Sequence, residues 1–264
     1  MIAIVVLTHE RVHLLRQCVE NVLGRTSALT TEIVIWNNAS TDGTRESLDG
    51  LDEPRLRVVP HPENIVQNAY RRAFALTRAP YLVELDDDMV DAPAEWDRTL
   101  FHAYSSLPDI GFLAADLADD EHDFVANIRY RVRPHLYSLH EVNGVRILDG
   151  PTGGGCAMTS RELHDAVGGF RENRRHVFWE EETAYLEDIS RLGYRGATLA
   201  ELKLRHAGGE YYSRQSVAKH EYWRHYWKQE QLKNRVKRGL LTIPFARALN
   251  ERHGWFTVTE TPEL

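Results

Sequence analysis

The sequence predicts an α/β fold, with a mostly parallel, doubly wound sheet flanked by helices and a helical extension at the C-terminus. Three observations predict it. The run at 2–8 is continuous and apolar or β-branched, and those at 32–36 and 81–85 are nearly so, as in strands covered on both faces. Segments with helical spacing lie between them. The order strand–helix–strand–strand–helix–strand is complete within about 85 residues, the pattern of a parallel sheet with crossover helices.

The elements follow in chain order. IAIVVLT (2–8) is a buried strand, and ERVHLLRQCVENVL then places Val12, Leu15, Val19, Val22 and Leu23 at helical spacing. That helix is expected to end at Gly24. EIVIW (32–36) is the second strand, NNASTDGT (37–44) a turn and LRVVP (56–60) the third strand. Residues 65–79 read as a helix with Ala69, Ala73 and Leu76 on one side, broken by Pro80 before the fourth strand, YLVEL. APAEWDRTLFHAYSSL reads as a helix with Pro93 near its start, and IGFLAAD as a strand. Residues 119–150 are polar and strand-like, with no clear placement. GPTGGGCAMTS (150–160) is a glycine-rich turn entering a short strand, and RELHDAVGGF a short helix ending at Gly168. Residues 180–195 form a helix closed by Gly193, and 214–238 a long helix rich in aromatic and basic residues. There is no internal repeat or low-complexity linker.

Composition narrows the function. The 264 residues carry 32 Lys plus Arg against 39 Asp plus Glu, a formal net charge of −7. Polyanion binders usually present a basic face, so nucleic acid is not an expected partner. Two cysteines, Cys18 and Cys156, make no disulfide framework and suit a reducing cytosol. The N-terminal apolar run is too short to span a membrane and has no basic flank, and no other run is long enough. The expectation is a soluble, cytoplasmic protein, with peripheral membrane contact left open.

The segment YLVELDDDMV carries the chemistry. Three like charges, Asp86, Asp87 and Asp88, follow a buried strand, although crowded carboxylates repel. In open α/β sheets ligands bind beyond the carboxyl ends of the strands. Thr8–Glu10 and Asn37–Asn38 stand at such ends too, so the three segments are expected to converge. A hard divalent cation would relieve the repulsion. Asp86 and Asp88 share a face of an extended segment, so one could hold a hydroxyl and the other a metal. A solvated acidic loop capping the next helix is the other reading.

IVVLTHER, EIVIWNNASTDGT, ELDDD, GGF and FWEEETAYLEDISRLGYR, spread over roughly residues 2–210, together resemble the inverting family 2 glycosyltransferases of GT-A fold. The resemblance implies a catalytic domain over 1–210, with a nucleotide-binding half (1–88) and an acceptor half (89–210). Residues 211–264 would be a helical extension of the same globule. It also implies a nucleotide diphosphate sugar donor, a hydroxyl acceptor (a glycan, a lipid-linked molecule or a small molecule) and Mn2+ or Mg2+. Asp86 would face ribose and reach the metal, Asp88 would ligate it, and Asp87 could share either task. His206, followed by Gly208 and Gly209, matches a metal-ligating histidine; a structural histidine is the alternative.

At the nucleotide end the resemblance places Thr8, Glu10 and Arg11 near the base and ribose, with Glu10 where the family has Asn. Asn37 replaces the Asp that accepts a base N–H and would keep that contact through its carbonyl. Ser40, Asp42 and Gly43 are read as turn and helix-cap residues. Asn64 and Arg71 match the next segment, with Val66 where Gly is usual; Arg71 would reach the base or a phosphate, or else face solvent. On the acceptor side Gly154 and Gly155 would wall the donor sugar, or simply form a bend, and Trp179 would stack on a sugar or lie in the core. Counting back from Gly193-Tyr194 puts the family's general base on Glu182, with Glu181 the alternative; glutamates at a helix start are also good capping residues.

Tyr222, Trp223, Tyr226 and Trp227 form an aromatic stripe beside basic residues. It is expected to pack on the catalytic domain or on a second copy, giving a homodimer; a basic amphipathic helix could also lie on an anionic membrane. Two other functions remain open: a sugar nucleotidyltransferase, which LTHERVHLL argues against for lack of a basic glycine-rich loop, and a noncatalytic nucleotide-sugar binder.

Overall fold

The computed structural model describes residues 1–172 and 180–253. The chain divides into two compact units, 1–208 and 209–264. The first opens with β1 (Ile2–Thr8), α1 (Val12–Arg25), β2 (Thr30–Asn38), α2 (Thr44–Leu48), β3 (Leu56–His61), α3 (Asn68–Phe74), β4 (Tyr81–Asp86) and β5 (Met89–Asp91). It continues with α4 (Trp96–Ser105), β6 (Ile110–Leu117), α5 (Phe124–Asn127), β7 (Ser138–Val142), β8 (Val145–Asp149), β9 (Cys156–Ser160), α6 (Arg161–Ala166), α7 (Glu180–Ser190) and β10 (Arg195–His206). The second unit contains α8 (Val217–Leu241) and α9 (Pro244–His253).

The sheet order is β3-β2-β1-β4-β9-β6-β10-β8-β7, with β5 paired to β10. β3, β2, β1 and β4 are parallel, the doubly wound part that the sequence predicts. Beyond β4 the sheet is mixed, because β9 runs antiparallel between β4 and β6. Burial on both faces explains why β1 is apolar from Ile2 to Leu7. Ile2, Ile4 and Val6 enter one core with Leu15, Cys18 and Val22 of α1 and Trp96 and Leu100 of α4. Ala3 and Val5 enter the other, with Ala69, Tyr70, Ala73 and Phe74 of α3 and Tyr185 and Ile189 of α7. Alternate residues of one strand thus face helices on opposite sides of the sheet.

Several boundaries differ from expectation. α1 does not stop at Gly24. It runs to Arg25, where the Thr26 N–H and hydroxyl both donate to the Val22 carbonyl, at 3.3 and 2.7 Å, and close the last turn. α3 is shorter at both ends than 65–79. Val66 has φ +52°, which a helix cannot include, and the carbonyls of Phe74, Thr77 and Ala79 are taken by the Arg161 guanidinium. The polar stretch 119–150 holds α5, short π and 3-10 turns and the β7–β8 hairpin. That hairpin turns at Asn143-Gly144, both at positive φ (53° and 77°), the pair that a type I′ turn needs.

Candidate active site

Strand register brings the predicted segments together. Thr8 is level with Asn37 on β2, and Leu7 with Asp86 on β4, so the carboxyl ends of β1, β2 and β4 lie side by side. The three aspartates then diverge. Asp86 accepts a hydrogen bond from the Tyr70 hydroxyl at 2.9 Å, and its backbone N–H donates to Gly155 O at 2.9 Å. Asp87 is fully buried and accepts from the Thr8 hydroxyl at 2.6 Å. Arg11 bridges the remaining two, with Nη2 2.8 Å from Asp87 Oδ1 and Nη1 on Asp88 Oδ2.

His206 reaches the cluster from the far end of β10. β10 pairs with β6 as far as Leu204, past a register shift between Leu199 and Lys203; its last two residues pair with β5, and His206 stands opposite Met89. The Ala207 N–H donates to Asp88 O at 2.8 Å and fixes that approach. The His206 ring lies between two carboxylates. Nε2 is 3.3 Å from Asp88 Oδ1, and Nδ1 is 2.9 Å from both oxygens of Asp123. Asp123, fully buried, also caps α5 by accepting the Val125 N–H at 2.9 Å.

Charge follows from this geometry. Burial and the neighbouring Asp88 push the Asp86 carboxyl up to about 6. Burial opposes ionisation of Asp88 as well, but Arg11 and His206 outweigh it and hold that carboxyl well below the usual range. Burial would also strip the proton from His206, yet Asp88 and Asp123 hold its pKa well above the ordinary value. One carboxylate oxygen each from Asp86 and Asp88 and one ring nitrogen of His206 lie within 4.8 Å of one another. This is a donor set of two hard oxygens and an imidazole, which fits Mn2+ or Mg2+. A carboxylate behind the other ring nitrogen, as Asp123 is, recurs in metal sites and orients the ligating atom.

The glycine-rich turn before β9 closes against Asp86. The Gly154 N–H donates to Glu182 Oε1 at 3.1 Å, and Glu182 is near enough for its charge to raise Asp86 further. A Cβ on Gly154 would stand 1.7 Å from Glu84 Oε1 and 2.7 Å from Glu182 Oε1, so any side chain there would displace both carboxylates. A Cβ on Gly155 would meet Met89 Cε at 2.5 Å and Asp86 Oδ2 at 3.7 Å. The structure therefore brings together Thr8, Arg11, Asp86, Asp87, Asp88, Gly154, Gly155, Glu182 and His206. Trp179 and the side chain of Glu181 lie outside the described residues.

The other candidates shape loops. Glu10 Oε1 accepts from the Thr41 N–H at 2.6 Å and from its hydroxyl at 3.0 Å. Asn37 Oδ1 accepts from the Ser40 N–H at 2.9 Å, so the carbonyl expected to meet a base holds a turn. Asp42, not Ser40, caps the neighbouring helices, through the Val12 N–H and through the Thr44 N–H and hydroxyl. Asn64 Oδ1 accepts from the Val66 N–H at 2.9 Å, and Arg71 Nη1 donates to Phe170 O at 2.7 Å. Tyr70 and Asp123 are the residues that sequence reasoning missed. Tyr70 was hidden among the apolar positions of α3, and Asp123 lay in the stretch without a placement.

Comparison with known proteins bears on this geometry. A sequence model of glycosyl transferase family 2 matches residues 3–180. No curated protein matches significantly. Among solved structures, a Pyrobaculum calidifontis mannosyltransferase in complex with GDP-Man and Mn2+ superposes with a TM-score of 0.54 at 21% identity, over 78% of this chain and 56% of that one. S. aureus TarS in complex with UDP-GlcNAc gives a TM-score of 0.57 at 13% identity, over 80% of this chain and 60% of that one. Mycobacterium tuberculosis glucosyl-3-phosphoglycerate synthase in complex with Mn2+, UDP and glucosyl-3-phosphoglycerate gives 0.51 at 17%, over 78% and 72%. The chain thus spans little more than half the length of the Pyrobaculum protein. At these identities the likeness is one of fold.

Proposed function

Because the chain belongs to glycosyl transferase family 2, we propose that it moves a sugar from a nucleotide diphosphate sugar to an acceptor hydroxyl, by direct displacement that inverts the anomeric carbon. The observation that carries this reading is the convergence of Asp86, Asp88 and His206, whose ligand atoms lie within 4.8 Å of one another at the carboxyl ends of the strands. These residues would hold Mn2+ or Mg2+, which supplies Lewis-acid stabilisation of the departing diphosphate.

The chain's own groups supply the rest. Asp86, steadied by the Tyr70 hydroxyl, accepts from a ribose hydroxyl. Thr8 and Arg11 hold Asp87 and Asp88 in place, and Asp123 holds the His206 ring so that Nε2 faces Asp88. Glu10, Asn37 and Asn64 set the loops around the nucleotide end, and Arg71 ties α3 to the loop before α7. Gly154 and Gly155 let the backbone approach the donor sugar where any side chain would collide. Glu182, with one oxygen fixed by the Gly154 N–H, takes the proton from the acceptor hydroxyl as it attacks.

Thermal shifts with UDP, GDP, dTDP and CDP, each with and without Mn2+, test the donor half, since a ligand of the native state alone raises its stability. One nucleotide should stabilise only when the metal is present. Glu182→Gln tests the chemistry: it should keep that shift and lose roughly 10²- to 10⁴-fold in transfer rate, the usual worth of a general base. Full turnover in Glu182→Gln would instead assign the base to another group, and a wild type that binds nucleotide without turnover would support a noncatalytic binder.

A further inference from the structure

The helix α8 has two unlike faces. On one, Trp223, Trp227 and Asn234 are buried, at 9%, 4% and 5% exposure. On the opposite face, Leu232, Val236 and Leu240 follow one another at intervals of four residues and are 62%, 56% and 37% exposed. At 100° per residue they make a narrow apolar stripe along the last turns of the helix. Lys228 and Arg235 border it on one side, and Lys233 and Lys237 on the other. Residues 228–241 hold five basic residues and one acidic, a net +4 in a chain of −7, which leaves −11 on the remainder.

We propose that this face of α8 seats on an anionic membrane surface, with the three apolar side chains at the headgroup boundary and the flanking cations among acidic phospholipid headgroups. An apolar stripe bordered by lysines and arginines is the pattern of an interfacial helix. No described helix is long and apolar enough to cross a membrane, so the contact lies in the plane of the surface. Charge also opposes a second copy of the chain as the occupant, because two such faces brought together would set cation rows against cation rows. The remainder of the chain is acidic and gains nothing from the same lipid, so the attraction rests on this segment. Lys233 also pairs with Glu230 at 2.5 Å, so Lys228 and Arg235 are taken as the larger contributors. The proposal does not depend on the transferase reading.

Flotation of the full chain with vesicles tests it. The protein should float with phosphatidylcholine–phosphatidylglycerol vesicles and not with phosphatidylcholine alone, and high salt should release it. A basic residue near an anionic surface is worth roughly fivefold in partition. Lys228→Gln with Arg235→Gln should therefore lower binding about twentyfold, and Leu232→Glu with Val236→Glu at least about tenfold. All four side chains lie on the outward face, so circular dichroism and melting temperature should be unchanged; if one pair fails to fold, the other decides. Three results would overturn the proposal: no flotation on acidic vesicles at low salt, equal flotation on neutral ones, or full binding by a folded variant. Light scattering that shows a dimer dissolved by Leu232→Glu with Val236→Glu would also overturn it, and would assign the stripe to a second copy.

Discussion

Asp88 meets a cation at each of its oxygens, Arg11 on one and His206 on the other, and the second carboxylate behind His206 decides how that ring can act. Asp123→Asn should therefore weaken Mn2+ binding by about 10- to 100-fold in an electron paramagnetic resonance titration, as loss of such a partner does elsewhere; unchanged affinity would remove Asp123 from the site. The aspartates were legible in the sequence because the three acids end a buried strand, at the edge where open sheets bind ligands. His206 was legible through the glycines after it and the family's pattern. Asp123 was not, because it lies 83 residues from its partner and its type is explained locally by the helix that it caps. Val66 shows the reverse case. The resemblance expects glycine there, and the backbone keeps the left-handed conformation without it, at φ +52°. A β-branched residue in that region is strained by roughly 1–2 kcal/mol, against about 0.5–1 kcal/mol for the freedom a glycine adds to the unfolded chain. Val66→Gly should then raise the melting temperature slightly, and a clear fall would show that the loop carries no strain.

Among the elements, those with a single period were read well and those defined by partners were not. β1, β2 and β4 announce themselves as short apolar runs, and their level ends put Thr8, Asn37 and Asp86 side by side. The change of partner that delivers His206 has no local signature, since β10 pairs with β6 as far as Leu204 and with β5 only at its last two residues. The β7–β8 turn did have one, Asn143-Gly144, lost among the polar residues around it. α6 carries an element-scale prediction. His164 is packed between Phe74, Phe170 and Tyr185, at centroid distances of 5.3, 5.6 and 5.8 Å, and its Nδ1 is buried without a hydrogen bond. Burial, with the Arg161 charge, lowers its pKa to about 4. The unfolded chain takes up this proton near pH 6.5 and the folded one only near 4. The stability is therefore complete above about 6.5 and falls between 6.5 and 4, by at most roughly 3 kcal/mol. His164→Leu should flatten that part of the acid limb in urea titrations, and an identical limb would show that His164 is not the group responsible.

For the whole molecule, the family model matches most of the first unit, short of β10 and His206, and none of the second. The match ends at residue 180, and α8 and α9 belong to the unit that begins at 209. The doubly wound half follows from periodicity alone, whereas the mixed half required β9 to be inserted against the direction of its neighbours, which no residue pattern in CAMTS reveals. The central claim is that acid side chains at the strand ends and His206 grip a dication on which a nucleoside diphosphate depends. Calorimetric titration of the stabilising nucleoside diphosphate into the protein, with Mn2+ and with chelator, for wild type and Asp88→Asn, tests it most directly. Binding that requires Mn2+ and disappears in Asp88→Asn is the predicted result. Nucleotide affinity indifferent to both the metal and the substitution would contradict it.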